Sequence, residues 1–330
     1  IGDSLYDLRK MQSNMPAPFL MEILEMFHQK LISLDQVKAI LNLINTYLIR
    51  RYIAGQDTSA ITRSFPTYLK NVLDIINKFG YNDIVDICKF VLVNETRQKS
   101  NFMPDDEHVK QYLKTANAYV LSQTKWLLDK IENYNNPIIV DTSVLSIEHI
   151  MPQTPNKYWL EVTQLSLDDY ELEINKLGNL TLASKIDNSK MQNYNFDYKK
   201  EVLNQTKHLK LNEYILKLDK WNVDSIEQRT LYLIDIILNI FPYFRSLKNY
   251  KESSEQSEIF LNRAELIAEG YLHKDSKVTV KIGSNIRYTT NPNLESLKEL
   301  REDLIHQEII ISKNGVYYFA QDYTFNSPSA

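Results

Sequence analysis

The chain has 330 residues and a formal net charge of −4 at pH 7, and 43% of its residues are hydrophobic. That length exceeds what one hydrophobic core usually organises, so two or three domains are expected. The composition excludes wholesale disorder, and the negative charge argues against a protein that binds polyanions over its whole surface. With only seven glycines, the chain has few permissive turn points, which favours long helices.

No membrane-spanning segment is expected from the sequence. The most apolar long run, Leu231 to Phe244, is interrupted by Asp235 and Asn239 and is too short to cross a bilayer. The N-terminus has no signal-peptide pattern, and the single cysteine excludes an internal disulfide. These features predict a soluble protein of the reducing cytoplasm.

Residues 1–137 form a predicted helical region that packs as a bundle. Apolar side chains recur there at steps of three and four, a period typical of amphipathic helices. One such run comprises Val37, Ile40, Leu41, Ile44 and Leu48. Ser33 precedes this run as a plausible helix cap. Arg50 and Arg51 near its end could contact phosphate, but paired arginines at a helix end more often bond carboxylates or helix carbonyls, which is the interpretation we favour.

The sequence pattern changes at Ile138, where β-branched and alternating residues begin a predicted strand that extends to Ile150. A second short strand is predicted at 177–182 and a helical segment at 184–192, and periodic helices follow. Residues 138–250 are therefore predicted to contain a strand, a loop, a second strand and a helix, with flanking helices.

A small separate domain is predicted at the C-terminal end. The polar run from Lys251 to Glu258 has the composition of a linker. Residues 259–330 then combine short strand-like runs with a helical run, which predicts an α+β domain. Such a domain could bind DNA or dock a partner, and the spacing of its residues favours neither.

The residues with the clearest chemical potential stand around the two predicted strands. His149 ends the first strand directly after Glu148, and Pro152 stops the strand. Downstream, Asn179 precedes the segment that carries Asn188, nine positions later. Hydrolysis of a phosphodiester near neutral pH needs a base that activates water, a cation that offsets phosphate charge, and ligands that hold this cation. The segment supplies a residue type for each of these roles.

These residues resemble the HNH nucleases, which are also called His-Me finger or ββα-metal nucleases. They are more closely similar to the C-terminal nuclease half of the GmrSD-type modification-dependent restriction endonucleases. The resemblance rests on the run Glu148 to Pro152, on Asn179 within Gly-Asn-Leu-Thr-Leu, and on Asn188. A later pattern of the family, W-x₄-I-x₂-R, is similar to Trp221, Ile226 and Arg229.

The resemblance implies a role for each of these residues. His149 would deprotonate the attacking water, and Asn179 would orient its imidazole ring. Glu148 and Asn188 would hold a single Mg²⁺ (or Mn²⁺), although Glu replaces the Asp of the broader HNH group and moves the carboxylate by about one bond length, which matters for an octahedral cation. Lys190 and Lys199 could contact phosphate, or could belong to solvated helix faces.

The resemblance also implies the fold and the biological setting. The expected fold is mainly α, with a helical region, an inserted ββα-metal (HNH) nuclease core and the small α+β domain. The expected function is that of a metal-dependent DNA endonuclease of a bacterial restriction or phage-defence system, with modified phage DNA as its substrate. In this family a nucleotide-binding sensor half precedes the nuclease, so Ile1 is expected to follow such a half. Residues 259–330 look like a module appended to some bacterial restriction proteins.

Each residue taken singly has a simpler explanation. A histidine at a strand end is usually a satisfied polar residue, Asn179 and Asn188 could cap turns or a helix, and Glu148 could pair with a lysine. Their joint occurrence at fixed spacings favours the nuclease interpretation. Two other functions remain open: a catalytically inactive DNA-binding or scaffolding module of such a system, and an RNA-cleaving toxin.

Overall fold

The computed structural model describes residues 2–10, 14–57, 61, 63–97, 99–205, 209–250, 256–263, 266–273, 276–286 and 295–326. The chain divides into two compact units, Ile1–Lys248 and Asn249–Ala330. The predicted mainly helical character is confirmed, because helices make up most of the first unit. Within the predicted linker at 251–258, residues 251–255 lie outside the described residues.

The first part of unit one is helical. Its helices are α1 (Gly2–Lys10), α2 (Ala17–His28), α3 (Leu34–Ile53), α4 (Ser64–Phe79), α5 (Ile84–Lys89), α6 (Asp106–Thr115) and α7 (Thr124–Asn133), with a π-helical turn at Phe90–Asn94 and a 3₁₀ turn at Ala118–Val120. Helix α3 begins at a capping box in which Ser33 and Gln36 bond each other's backbone N–H groups. The apolar run from Val37 to Leu48 is buried, as its period predicts.

The two arginines at the end of α3 stabilise this unit from inside. Arg50 and Arg51 are both buried. Arg50 donates hydrogen bonds to the Pro104 and Phe241 carbonyls at 2.8 and 2.7 Å and to the Asp106 carboxylate at 2.7 Å. Arg51 donates to backbone carbonyls, including that of Phe102. Their interpretation as structural rather than phosphate-binding residues is confirmed.

A two-stranded antiparallel hairpin follows the helices. Strand β1 (Leu145–His149) pairs with β2 (Leu180–Ser184), so that His149 lies opposite Leu180. The predicted strand at 138–144 is absent, because its apolar members Ile138 and Ile139 are 74% and 84% exposed and have no partner strand. Strand β2 begins later than predicted because Leu177–Asn179 form a 3₁₀ turn.

Helices surround the hairpin within unit one. They are α8 (Lys157–Thr163) and α9 (Leu167–Ile174) between the strands, and α10 (Lys185–Met191), α11 (Phe196–Gln205), α12 (Lys210–Leu216) and α13 (Val223–Ile240) after them. Alternate residues of β2 point to opposite faces of the hairpin. Leu180 and Leu182 pack into the core shared with α7 and α13, whereas Ala183 joins a second core that contains Trp159 and Trp221. The hairpin is thus held between two apolar clusters.

Unit two has the α+β composition expected from the sequence. Its described elements are β3 (Gln256–Arg263), β4 (Leu266–His273), β5 (Val278–Val280), β6 (Asn285–Ile286), α14 (Glu295–His306), β7 (Ile310–Lys313), β8 (Val316–Phe319) and β9 (Tyr323–Phe325). They form a sheet of order β3-β4-β5-β9 and a second of order β6-β8-β7. In the described parts of both units, none of the helices has the length and apolar character that crossing a membrane requires.

Candidate active site

The end of strand β1 opens into a cleft of about 320 Å³, which we call the hairpin cleft. It is lined by Glu148, His149, Pro152, Gln153, Thr154, Asn188, Gln192 and Asn193. Three of the site residues that the sequence indicated, Glu148, His149 and Asn188, therefore meet in one place. Helix α10 brings Asn188 to the cleft. The first turn of this helix is capped by Ser184, which accepts a hydrogen bond from the Asp187 N–H at 3.1 Å.

The His149 ring is held on one side by a residue that the sequence did not indicate. Asn175 Oδ1 lies 3.2 Å from His149 Nε2. The Asn175 amide group donates its N–H to the Glu171 carbonyl at 3.3 Å, which directs its oxygen toward the histidine. Nε2 therefore carries the proton, and Nδ1, which has no hydrogen bond to a described residue, keeps its lone pair. The Tyr119 ring packs edge-on against the imidazole, with centroids 4.5 Å apart.

The protonation state of His149 suits a base. Only 6% of the residue is exposed. Burial lowers the pKa of His149 to about 4, the Asn175 hydrogen bond opposes this shift, and the charge of Lys199 adds to it. The imidazole is consequently neutral at pH 7, the form in which it can accept a proton from water.

Lys199 lies beneath the cleft and not on the surface of the unit. Its side chain has no exposed area, and Nζ donates to Glu148 Oε1 and to the His149 carbonyl, each at 2.8 Å. The expectation that Lys199 contacts phosphate is therefore corrected, because its ammonium group is enclosed and already bonded. Burial raises the pKa of Glu148 and lowers the pKa of Lys199, and the pairing opposes both shifts. The possibility that Glu148 pairs with a lysine is realised here.

Asn188 connects α10 to strand β1. Its Nδ2 donates to the Ile147 carbonyl at 3.1 Å and to Ser146 Oγ at 3.2 Å, which leaves Oδ1 without a hydrogen bond to a described residue. A carboxylate of Glu148 and an amide oxygen of Asn188 are the hard donors that Mg²⁺ prefers. Among the described residues, no group of three or more His, Cys, Asp or Glu could hold a metal. A pair of oxygen donors still fits Mg²⁺, which usually keeps several waters and binds substrate phosphate.

Asn179 forms hydrogen bonds with backbone groups near His149 and not with the imidazole ring. Its Oδ1 accepts from the Met151 N–H at 2.8 Å and from Trp221 Nε1 at 3.0 Å. Its Nδ2 donates to the carbonyls of Met151 and Ile174, both at 2.8 Å. This differs from the expected contact with the imidazole, which Asn175 makes instead. Asn179 fixes the chain that leaves β1, and with it the position of His149.

Helix α13 secures the turn that carries Asn179. Arg229, fully buried, donates to the carbonyls of Gly178 and Leu180 at 2.6 and 2.7 Å. A Cβ atom at Gly178 would collide with the Ile226 carbonyl and with Thr230, so a glycine is needed for this close approach. The W-x₄-I-x₂-R pattern thus contacts the 3₁₀ turn through all three of its residues, Trp221, Ile226 and Arg229.

Lys190 differs from Lys199 in its environment. It is exposed on α10, with Nζ 3.7 Å from the Asp187 carboxylate, and it remains a candidate phosphate contact. The motif analysis did not indicate Asn175 and Tyr119, because their contacts with the imidazole depend on how distant segments of the chain pack. The position of Asn175, four residues before Asn179, is the one signal that could have indicated a role.

The fold and the cleft define the class of protein to which the first unit belongs. Proteins of this class are mainly helical and carry a neutral histidine and two oxygen donors at the end of a two-stranded hairpin. Residues 103–236 match the family model described as GmrSD restriction endonucleases, C-terminal domain. This match confirms the resemblance of this part of the chain to the C-terminal nuclease half of GmrSD-type enzymes. Residues 259–330 match a domain of unknown function (DUF4357). No curated protein matches the chain.

Proposed function

We propose that the first unit is a metal-dependent DNA endonuclease of the HNH type, from a bacterial restriction or phage-defence system. The observation that carries the proposal is the hairpin cleft, in which a neutral His149 lies with Glu148 and Asn188. The order β1, β2, α10 around the cleft supports a ββα-metal arrangement. The family match supports a restriction endonuclease, and through it DNA as the substrate.

In the proposed reaction, His149 is the general base. Its Nδ1 takes a proton from a water molecule, the water oxygen forms a bond to phosphorus, and the bond from phosphorus to the leaving oxygen of the DNA strand breaks. Asn175 holds the Nε2–H side of the ring during this step. Glu148 and Asn188 would hold Mg²⁺ (or Mn²⁺), and the bound cation would offset charge on the phosphate and the leaving oxygen.

The remaining parts of the proposal concern specificity and setting. Lys190, which is exposed on α10, would contact a backbone phosphate of the DNA. We further propose that the substrate is modified phage DNA, that a nucleotide-binding sensor half controls cleavage, and that the protein acts in the cytoplasm. The resemblance to GmrSD-type enzymes motivates these three statements.

A nicking assay tests the proposal. The purified chain is incubated with supercoiled plasmid, with modified and unmodified phage DNA, and with tRNA, each in Mg²⁺, in Mn²⁺ or in excess EDTA. We expect modified phage DNA to be nicked faster than the unmodified DNAs in both metals, all DNA to remain intact in EDTA, and tRNA to remain intact throughout. Cleavage of tRNA alone would instead support an RNA-cleaving toxin. Binding of DNA without cleavage of any substrate would support an inactive DNA-binding module.

A further inference from the structure

The hairpin cleft lacks the charges that usually hold DNA. Among the described residues that line it, none is a lysine or an arginine, and the amide side chains of Gln153, Asn188, Gln192 and Asn193 predominate. The whole chain carries a formal net charge of −4. Contacts of lysine and arginine with phosphate supply most of the non-specific affinity for DNA. An acidic nuclease of this kind therefore needs a separate surface that binds the DNA backbone.

A second cleft in unit one has the required charge. This basic cleft, about 900 Å³ in volume, lies between the segment after the π-helical turn and the residues that follow α13. Its lining includes Arg97, Lys99 and Arg245, which are all exposed. None of these three side chains forms an ion pair with a described residue. The carboxylate in the lining, Asp105, already lies 2.6 Å from His108 Nδ1.

The walls of the basic cleft are fixed from inside by a buried arginine. Arg50 bonds the carbonyls of Pro104 and Phe241 at 2.8 and 2.7 Å and so ties the two walls together. Its guanidinium group lies 5.5 Å from the centre of the Tyr243 ring, which lines the cleft. A preformed frame of this kind reduces the ordering cost when the exposed cations bind a ligand.

Helix α13 extends from the region of the hairpin cleft to the basic cleft. Near its start, α13 contacts the turn that carries Asn179, through Ile226 and Thr230. The helix ends at Ile240, just before the residues of the basic cleft. A rise of 1.5 Å per residue makes the stretch from Thr230 to Ile240 about 15 Å long. The two clefts are then on the order of 20 Å apart, roughly six base pairs of duplex DNA at 3.4 Å each.

We propose that the basic cleft binds the phosphate backbone of duplex DNA about six base pairs from the bond that is cut. This inference rests on the proposed nuclease function, because it assigns the cleft to the same substrate. The exposed cations Arg97, Lys99 and Arg245 make the phosphate contacts, and the hairpin cleft adds chemistry but little affinity. Cleavage then requires a duplex long enough to reach both clefts.

The test compares two double variants for binding to DNA duplexes of 8 and 24 base pairs. Arg97→Ala/Arg245→Ala removes two cations from the basic cleft. Lys70→Ala/Lys78→Ala removes the same charge from exposed positions of α4 that lie outside both clefts. Binding is followed in EDTA by fluorescence anisotropy over a range of salt concentrations, so that no cleavage interferes.

For the 24-base-pair duplex, we expect the basic-cleft variant to bind on the order of tenfold more weakly. The slope of log K against log salt should become shallower by about 2, since two phosphate contacts are lost. The control variant should bind like the unaltered chain. The 8-base-pair duplex should bind more weakly overall but show the same order of the three proteins, because it too can occupy the basic cleft. Equal binding of the 24-base-pair duplex by both variants would overturn the inference.

Two further outcomes separate this inference from the proposed function. If the basic-cleft variant loses DNA affinity although no form of the protein nicks DNA, the binding surface stands and the nuclease proposal fails. If the protein nicks plasmid and the variant binds and nicks normally, the binding surface fails and the nuclease proposal stands.

Inorganic triphosphate is added as a competitor in the binding measurement, because a free nucleotide has the same phosphate chemistry. Loss of triphosphate binding with unchanged DNA binding would assign the cleft to a nucleotide and contradict the inference.

Discussion

Replacing Lys199 by methionine is expected to lower the free energy of unfolding by about 3–5 kcal/mol and to abolish nicking. Methionine keeps a long unbranched side chain as far as Cε and removes the ammonium group. The Glu148 carboxylate and the His149 carbonyl, which both bond this ammonium group at 2.8 Å, would then lose their common partner in a buried site. Urea unfolding followed by circular dichroism measures the stability, and plasmid nicking measures the activity.

Two controls separate the charge of Lys199 from its packing. Lys185→Met, at an exposed position of α10, should change the stability by less than about 0.5 kcal/mol. Glu148→Gln/Lys199→Met removes both charges, so it should recover much of the lost stability while remaining inactive. Unchanged stability of Lys199→Met would contradict the buried ion pair.

Replacing Asn179 by alanine should have a comparably large effect on stability. The substitution leaves four buried groups without their partner: the N–H and carbonyl of Met151, the Ile174 carbonyl and the Trp221 indole N–H. Each unsatisfied buried group costs about 1–3 kcal/mol, so a loss of about 4 kcal/mol or more is expected. A loss of this size is a large fraction of the 5–15 kcal/mol that typically stabilises a domain.

Thermal and urea unfolding measure the effect of Asn179→Ala. Asn179→Asp keeps the oxygen that accepts from Met151 and Trp221 and loses the two donated bonds, so its stability should lie between those of Asn179→Ala and the unaltered chain. Asn239→Ala, at an exposed asparagine of α13, serves as the control and should cost less than about 0.5 kcal/mol. If Asn179→Ala were as stable as this control, the turn would not depend on its hydrogen bonds.

The helices of the first unit could be predicted because their signals are local. The apolar period from Val37 to Leu48 and the cap at Ser33 both lie within the helix that they define. Strand pairing is not local. Ile138 and Ile139 have the β-branched character of a strand, but no second strand is available to pair with them. Composition alone therefore predicted a first strand that is too long. Strand β1 formed only where β2 could pair with it.

The part of the candidate site that the motif spacing encodes could be predicted from the sequence. The motif spacing indicated that Glu148, His149 and Asn188 would meet, and they line one cleft. The burial of Lys199 could not be inferred, because a lysine on a helix gives the same pattern whether it faces solvent or a carboxylate 51 residues away. The contact of Asn175 with His149 likewise depends on how α9 and β1 pack, which a single sequence does not encode.

The nicking of supercoiled plasmid in Mg²⁺ by His149→Ala tests the central claim most directly. Loss of the general base should slow nicking by about 10²- to 10⁴-fold. His28→Ala, at an exposed histidine of α2, should nick at the rate of the unaltered chain. The circular dichroism spectra of both variants should match that of the unaltered chain, so that a slower rate reflects chemistry. Nicking by a folded His149→Ala at the unaltered rate would contradict His149 as the base and the hairpin cleft as the active site.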